Sequence, residues 1–255
     1  MYTFNSRIRY SELNSQGFLS TEALMNYFQD CSTFQSEDLG IGLEYLDEMN
    51  AAWVINSWQV DIIRYPKLGE NVIIGTIPYD IKGFVGCRNF YMDTLEGERL
   101  AIANSVWALI NIEKGTPVKV TSKMLEGYKI SEKLPMDYQG RKISFPSDGN
   151  IRTLNEIIVQ PFHLDTNQHV NNNQYINMAK DCMRLLDDND KKIPVISRIR
   201  AEYRMQAHLG DTIYPVCSTQ DKDGSVVYTV SLNDGSGKAY SIVEVTSLKK
   251  DERNV

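Results

Sequence analysis

Two stretches decide how this chain is read: LNSQGFLSTEALMNYFQDCS, residues 13–32, and LDTNQHVNNNQYINMAKDCM, residues 164–183. With Leu13 laid on Leu164, a shift of 151 positions, Asn26 also meets Asn177, Asp30 meets Asp181 and Cys31 meets Cys182. In the first stretch Leu24, Tyr27, Phe28 and Cys31 recur at i, i+3, i+4 and i+7, the spacing of one apolar helix face. Ser20 and Thr21 stand ready as caps, with Glu22 in the first turn. Tyr175, Met178, Ala179 and Cys182 take the same four places in the second stretch. A self-match at fixed offset points to an internal duplication.

The duplication extends outward. After the first helix, WVINSWQVDIIRY (53–65), ENVIIGTIPYDI (70–81), FVGCRNFYMDTL (84–95) and RLAIANSVWALINI (99–112) read as antiparallel strands, punctuated at Pro66, Gly69, Gly83 and Glu96-Gly97. After the second, the strands are ISRIRAEYRMQ (196–206), DTIYPVCSTQ (211–220), SVVYTVSLN (225–233) and KAYSIVEVTSL (238–248), with Asp223-Gly224 as a tight turn and IRTLNEIIVQ (151–160) as a strand ahead of the helix. Each half therefore reads strand, helix, four strands. Leu68-Gly69-Glu70 matches Leu209-Gly210-Asp211 at a shift of 141, so the second half is shorter between helix and second strand. The segment 113–150, with EKGTP, KISEKLP and FPSDGN, reads as linker with one helical turn. The expected organisation is α+β: an N-terminal domain over 1–120, a linker over 121–150 and a C-terminal domain over 151–255.

Composition narrows the function classes. The 255 residues are 42% hydrophobic and 24% charged, enough for one large or two medium folded domains. No run approaches the length of a membrane span, and MYTFNSRIRY has no apolar signal core, so the protein is expected to stay in the compartment where it was made. Cys31, Cys87, Cys182 and Cys217 form no CxxC pair, which fits a reducing cytoplasm. Three histidines without a Cys/His pattern, and no DxDxDG loop, give no reason to expect a metal. A net charge of −6 with dispersed Lys and Arg argues against nucleic acid. There is no GxGxxG or P-loop, and GSG at 235–237 reads as a hairpin turn.

The polar run ahead of the second helix is where the copies diverge. Asp165, Asn167 and His169 align with Asn14, Gln16 and Phe18, so the ionisable groups sit in one copy only. The helix is expected to start at Asn171 or Asn172, where unpaired N–H groups and the helix dipole favour negative charge. His169 is suited to act as general base or acid, Asn167 to hold an oxygen and Asp165 to fix the imidazole tautomer. Those are parts for hydrolysing an ester or thioester. The competing reading makes Asn171–Asn173 caps and turn-formers and His169 a satisfied polar residue. His163 and His208 have no partner in sequence and read as structural.

DTNQHVNNNQYI (165–176) closely resembles the DxNxHVNNxxY signature of acyl-ACP thioesterases, the plant and bacterial enzymes that release fatty acids from acyl carrier protein. FLSTEALMNYFQDCSTFQSEDLGIG and AWVINSWQVDIIRYPKLGENVIIGT resemble the family's N-terminal domain, and AEYRMQAHLGD the segment after the second helix, so the likeness covers nearly the whole chain. The resemblance implies a tandem (double) hotdog, two helix-wrapped antiparallel sheets in one chain, with no cofactor. It puts Asp165, Asn167 and His169 on the family's catalytic aspartate, asparagine and histidine. The fourth functional position, often glutamate in an EYRREC-like segment, falls on Gln206, and its neighbouring cysteine on Ala207.

Glutamine cannot accept a proton as a carboxylate does, so Gln206 is left to orient water or the histidine. Glu202, on the same strand face, lies roughly 13 Å away by strand rise, too far to substitute. The implied mechanism is attack of water on the thioester carbonyl without a cysteine nucleophile, and core packing is the reading for Cys31 and Cys182. The first copy would hold the acyl chain. Trp53, Trp58, Phe84 and Trp107 are candidates to line its tunnel, with ordinary sheet core as the favoured reading for each. Acidic acyl carrier protein would be met by a local basic patch, either Arg198, Arg200 and Arg204 or Lys129, Lys133, Arg141 and Lys142, with a solvated face as the alternative for both. A hotdog hydrolase of acyl-CoA and a non-catalytic acyl- or carrier-binding module stay open beside the acyl-ACP thioesterase, as do monomer and homodimer.

Overall fold

The computed structural model describes residues 1–165, 167–186, 195–222 and 224–249. The chain forms two compact units, Met1–Gln139 and Gly140–Val255.

The first unit contains strand β1 (Tyr2–Arg7), helices α1 (Thr21–Asp38) and α2 (Leu43–Glu48), strands β2 (Ala51–Ile62), β3 (Asn71–Lys82), β4 (Val85–Thr94) and β5 (Arg99–Asn111), and helix α3 (Ser122–Tyr128). Its strands pair antiparallel in the order β1-β3-β4-β5-β2. Helix α1 starts where the capping residues predict: the Ser20 hydroxyl accepts from Ala23 N at 3.1 Å. The face carrying Leu24, Tyr27, Phe28 and Cys31 is buried and lies against β1 and β3. Phe28, Trp58 and Phe90 meet at ring-centroid distances of 5.0 to 6.5 Å, giving the unit an aromatic core.

The second unit repeats the plan with β6 (Asn150–Thr153), β7 (Ile157–Ile158), helix α4 (Asn172–Leu186) and strands β8 (Val195–Tyr203), β9 (Thr212–Lys222), β10 (Ser225–Asn233) and β11 (Ala239–Leu248). The sheet order is β8-β11-β10-β9-β6, all antiparallel, with β7 also paired to β9. Tyr175, Met178, Ala179 and Cys182 are buried, on a helix packed against β9, β10 and β11. Each unit is one long helix wrapped by an antiparallel sheet.

The duplication is visible bond by bond. Ile8 N donates to Glu70 O and Gly69 N to Ile8 O; at the shifted positions Val159 N donates to Asp211 O and Gly210 N to Val159 O. Leu19 N donates to Pro66 O as Val170 N does to Ala207 O. Even the irregularities recur. Ile63 and Arg64 both donate to Leu100 O, and Arg204 and Met205 both to Tyr240 O.

These paired donors are bulges that bend the chain out of the ladder. They stop β2 at Ile62 and β8 at Tyr203, although the apolar pattern runs on to Tyr65 and Gln206. The strand expected over 151–160 is likewise two short pieces: Leu154 N still donates to Pro215 O in register with the β6–β9 pairing, but Pro215 has no N–H to return the bond.

Residues of the segment read as linker pack into the units. Val120, Met124 and Tyr128 are buried with Ile41, Ala51 and Leu109, and Trp53 packs against that cluster. Gly140, Lys142 and Ile143 are held by β8, as described below. Trp58 is core at 3% exposure, whereas Phe84, read as core, is 41% exposed at the β3–β4 turn. Cys31 and Cys182 are buried as expected, and burial pushes the Cys31 thiol up to about 12. Of the expected Asp223-Gly224 turn, Asp223 lies outside the described residues and Gly224 has φ +80°. No helix among the described residues is long and apolar enough to cross a membrane.

Candidate active site

The polar run forms a tight turn pinned at its base by an antiparallel bridge between Leu164 and Val170. Asp165 N donates to His169 O at 2.8 Å and Gln168 N to Asp165 O at 3.1 Å. The Asp165 carboxylate completes the turn, its Oδ1 accepting from the backbone of Asn167 at 2.8 Å and of His169 at 3.3 Å. Gln168 must take φ +62° to close it. The first copy makes the same turn with neutral groups. Asn14 Oδ1 accepts from Gln16 N at 2.9 Å and Phe18 N at 3.2 Å, with Gly17 at φ +84°.

That equivalence gives Asp165 a part in building the turn itself. Its carboxylate is bound to backbone amides and builds the turn, as an amide oxygen does in the other copy; among the described residues it makes no hydrogen bond to the imidazole it was expected to orient. Asn167 is exposed and His169 half-buried, and the turn presents both on one short loop.

Helix α4 starts at Asn172, one of the two positions expected. Asn171 is the cap: its Oδ1 accepts from Asn173 N at 2.9 Å and its carbonyl from Gln174 N, while its own N–H goes to His163 O. Those amides are therefore engaged within the protein and do not face a ligand. Tyr203 donates to Asn172 O at 3.1 Å, and the Tyr175 hydroxyl accepts from Ala207 N at 3.0 Å, fixing the helix start to the chain that follows β8. Burial pushes the Tyr175 hydroxyl up to about 12, which keeps it neutral.

Gln206 lies in that following chain, past the bulge, exposed and with no side-chain hydrogen bond among the described residues. Glu202 is buried and structural. Its Oε2 accepts from Ile143 N at 2.8 Å and from Arg204 at 2.9 Å. Burial pushes its carboxyl up, but the Arg204 guanidinium and the Ile143 amide outweigh it and hold the group below the usual range.

Arg200 pairs with Glu244 at 2.8 Å and donates to Gly140 O and Lys142 O; Arg204 also reaches Ile143 O. These two arginines hold the segment before β6, which corrects their reading as part of a free basic patch. Among the described residues no cluster of His, Cys, Asp and Glu could hold a metal ion.

Of the other histidines, His163 is structural. It is 8% exposed, its Nδ1 accepts from Gln160 N at 3.0 Å, and burial pushes its imidazole down. His208, with no partner in sequence, finds one in space. Its ring meets that of His169 edge to face, centroids 4.9 Å apart, and its Nδ1 lies 3.7 Å from Asp211 Oδ2. The only sequence signal was the shift of 141, which lays His208 on Lys67, itself over the Phe18 ring.

Two helix-wrapped antiparallel sheets, one bearing a histidine turn that its twin lacks, define a tandem hotdog protein. The chain matches the acyl-ACP thioesterase N-terminal domain over residues 1–128 and the acyl-ACP thioesterase C-terminal domain over residues 148–247, and it belongs to the acyl-ACP thioesterase family. The chloroplastic palmitoyl-acyl carrier protein thioesterase of Arabidopsis thaliana is 28% identical over 68% of this chain and 44% of its own length. The crystal structure of an acyl-ACP thioesterase from Bacteroides thetaiotaomicron VPI-5482 superimposes with a TM-score of 0.80 at 22% identity, covering 95% of this chain and 96% of that one. The 12:0-ACP thioesterase from Umbellularia californica gives a TM-score of 0.81 at 18% identity, covering 98% and 94%. The chain spans about half the length of the curated relatives it matches.

Proposed function

We propose that the protein hydrolyses the thioester of fatty acyl-acyl carrier protein, giving free fatty acid and the carrier thiol, as a step of fatty acid biosynthesis. The observation that carries the reading is the divergence of one duplicated turn: both copies keep its backbone, and only the second carries His169 and Asn167, in a chain of this family.

His169 takes a proton from water as the water oxygen bonds to the thioester carbonyl carbon. The oxyanion so formed accepts a hydrogen bond from the Asn167 amide, whose side chain is exposed for it. The C–S bond then breaks, the electron pair leaves on sulfur and His169 returns the proton to it. Asp165 serves through the backbone, by holding Asn167 and His169 on one turn. Gln206, exposed and next to Ala207, whose carbonyl accepts from Val170 N at the base of the turn, orients the water.

The first unit holds the acyl chain. Acidic carrier protein meets exposed cations, and Lys129, Lys133, Arg141 and Lys142 are each exposed. We place the reaction in the cytoplasm, since three of the four free cysteines are buried core residues that suit a reducing compartment.

Steady-state hydrolysis of acyl-ACP and acyl-CoA of graded chain length tests the reading. Turnover with a clear preference for acyl-ACP supports it. A preference for acyl-CoA points to the other carrier, and tight acyl-ACP binding without turnover to a binding module.

A further inference from the structure

The steps above leave one buried charge unexplained, and it lies inside the first unit. Arg88 on β4 is 8% exposed, and among the described residues no carboxylate pairs with it. Its Nη1 donates to Gln35 Oε1 on α1 and to Thr76 Oγ1 on β3, the latter at 3.2 Å. The guanidinium carbon lies 5.0 Å from the centroid of the Tyr128 ring on α3, and Tyr128 is itself buried, its hydroxyl 3.0 Å from that of Ser36. A charge taken out of water without an opposite partner is costly for a fold to keep.

The architecture does not require it. Phe90 pairs with Thr76 on one side and Ala103 on the other, and Val230 pairs in the same way with Cys217 and Val243, so the two units can be laid strand on strand. Two residues back along each strand, Arg88 falls on Tyr228. Thr76 falls on Cys217 and Gln35, at the helix shift of 151, on Leu186. The second unit builds the same helix and sheet with no cation in that place.

The arginine still offers a fork. Nη1 has two N–H groups and two acceptors, but Nε and Nη2 hydrogen-bond to nothing among the described residues, and neither is sealed from solvent. Side by side, their N–H groups match the two oxygens of a carboxylate. Apolar surface continues from them. Trp58 stands in the same row of the sheet, across Ser105, and Phe90, two residues along β4, packs with Phe28 and Trp58.

We propose that Arg88 is the anion seat of a binding site in the first unit for an aliphatic carboxylate, the chemical class of a free fatty acid. The carboxylate takes the fork of Nε and Nη2, Gln35, Thr76 and Tyr128 hold the guanidinium in place, and the chain lies toward the aromatic rings. For the hydrolase proposed above, that class is its own product; the binding itself does not rest on that reading.

Isothermal titration of octanoate, octanol and acetate into the full chain tests the site. Octanoate is expected to bind at least about tenfold tighter than octanol, the fold-change of a hydrogen-bonded charge, and acetate more weakly than octanoate for want of the chain. Arg88→Met keeps an unbranched stem and drops the charge, so octanoate should lose its advantage over octanol there, whereas Arg88→Lys, a cation without the fork, should keep part of it. Circular dichroism checks that each variant is folded, and the wild-type comparison decides the matter for any that is not. Octanoate that fails to bind wild type, or binds no tighter than octanol, overturns the proposal, as does an octanoate preference that survives in Arg88→Met. Acetate as tight as octanoate overturns the part given to the chain. The expected preferences in a protein that hydrolyses no acyl-ACP uphold the site and overturn the hydrolase reading.

Discussion

The paired turns make a quantitative prediction about Asp165. Its Oδ1 accepts two backbone hydrogen bonds, from Asn167 and His169, and Asp165→Ala removes the acceptor while leaving both amides in place. Each bond contributes about 0.5–1.5 kcal/mol net, and Asn167 is exposed enough for water to replace part of the loss. The expected cost is about 1–2 kcal/mol, which for a chain of this size lowers the thermal midpoint by about 2–8 °C.

Asp165→Asn keeps an oxygen acceptor in the same place, as Asn14 does in the first unit, and should stay within about 2 °C of wild type. Asn14→Ala should cost as much as Asp165→Ala. Thermal unfolding followed by circular dichroism measures all three. An Asp165→Ala protein as stable as wild type, or an Asp165→Asn protein that falls as far as Asp165→Ala, would refute the assignment of this carboxylate to the turn.

Gln168→Gly imports the residue of the first copy at a position with φ +62°, and relief of the left-handed strain should raise stability by about 0.5–1 kcal/mol, measured by urea denaturation. Glu202 has its folded-state carboxyl held below the unfolded value of 4.5, so the stability it contributes is present above that pH and is lost as pH falls through the folded value. Glu202→Gln should therefore flatten the acid limb of a stability-versus-pH curve below about pH 4.5. Gln206→Ala should lower kcat about tenfold without moving the thermal midpoint, since its side chain makes no hydrogen bond among the described residues; a fall in stability would mean it is structural instead.

Local signals placed most of the fold. Ser20 ahead of an i, i+3, i+4, i+7 apolar face fixed the start of α1, and the shift of 151 carried the same helix to Asn172. Strand ends were harder, because a bulge keeps the apolar alternation while turning the chain away. Nothing in RAEYRMQ marks Arg204 and Met205 as sharing one acceptor across the sheet.

The site was legible in part for a related reason. Asp165, Asn167 and His169 stand on one turn, within reach of a sequence motif. His208 reaches His169 only because Val170 pairs with Ala207, a contact that joins segments far apart in the chain. An aspartate near a histidine suggests a side-chain partner, and the motif alone does not reveal that the turn takes its Oδ1 for backbone amides. Asn14 in the first copy held that answer, since an amide oxygen there makes the same two bonds.

The central claim is that His169 performs the chemistry of acyl-ACP hydrolysis, and steady-state turnover of acyl-ACP by wild type and His169→Ala tests it most directly. Wild type should release free fatty acid, and His169→Ala should lose at least about a hundredfold in kcat with its thermal midpoint unchanged. Equal rates for the two proteins would contradict the account.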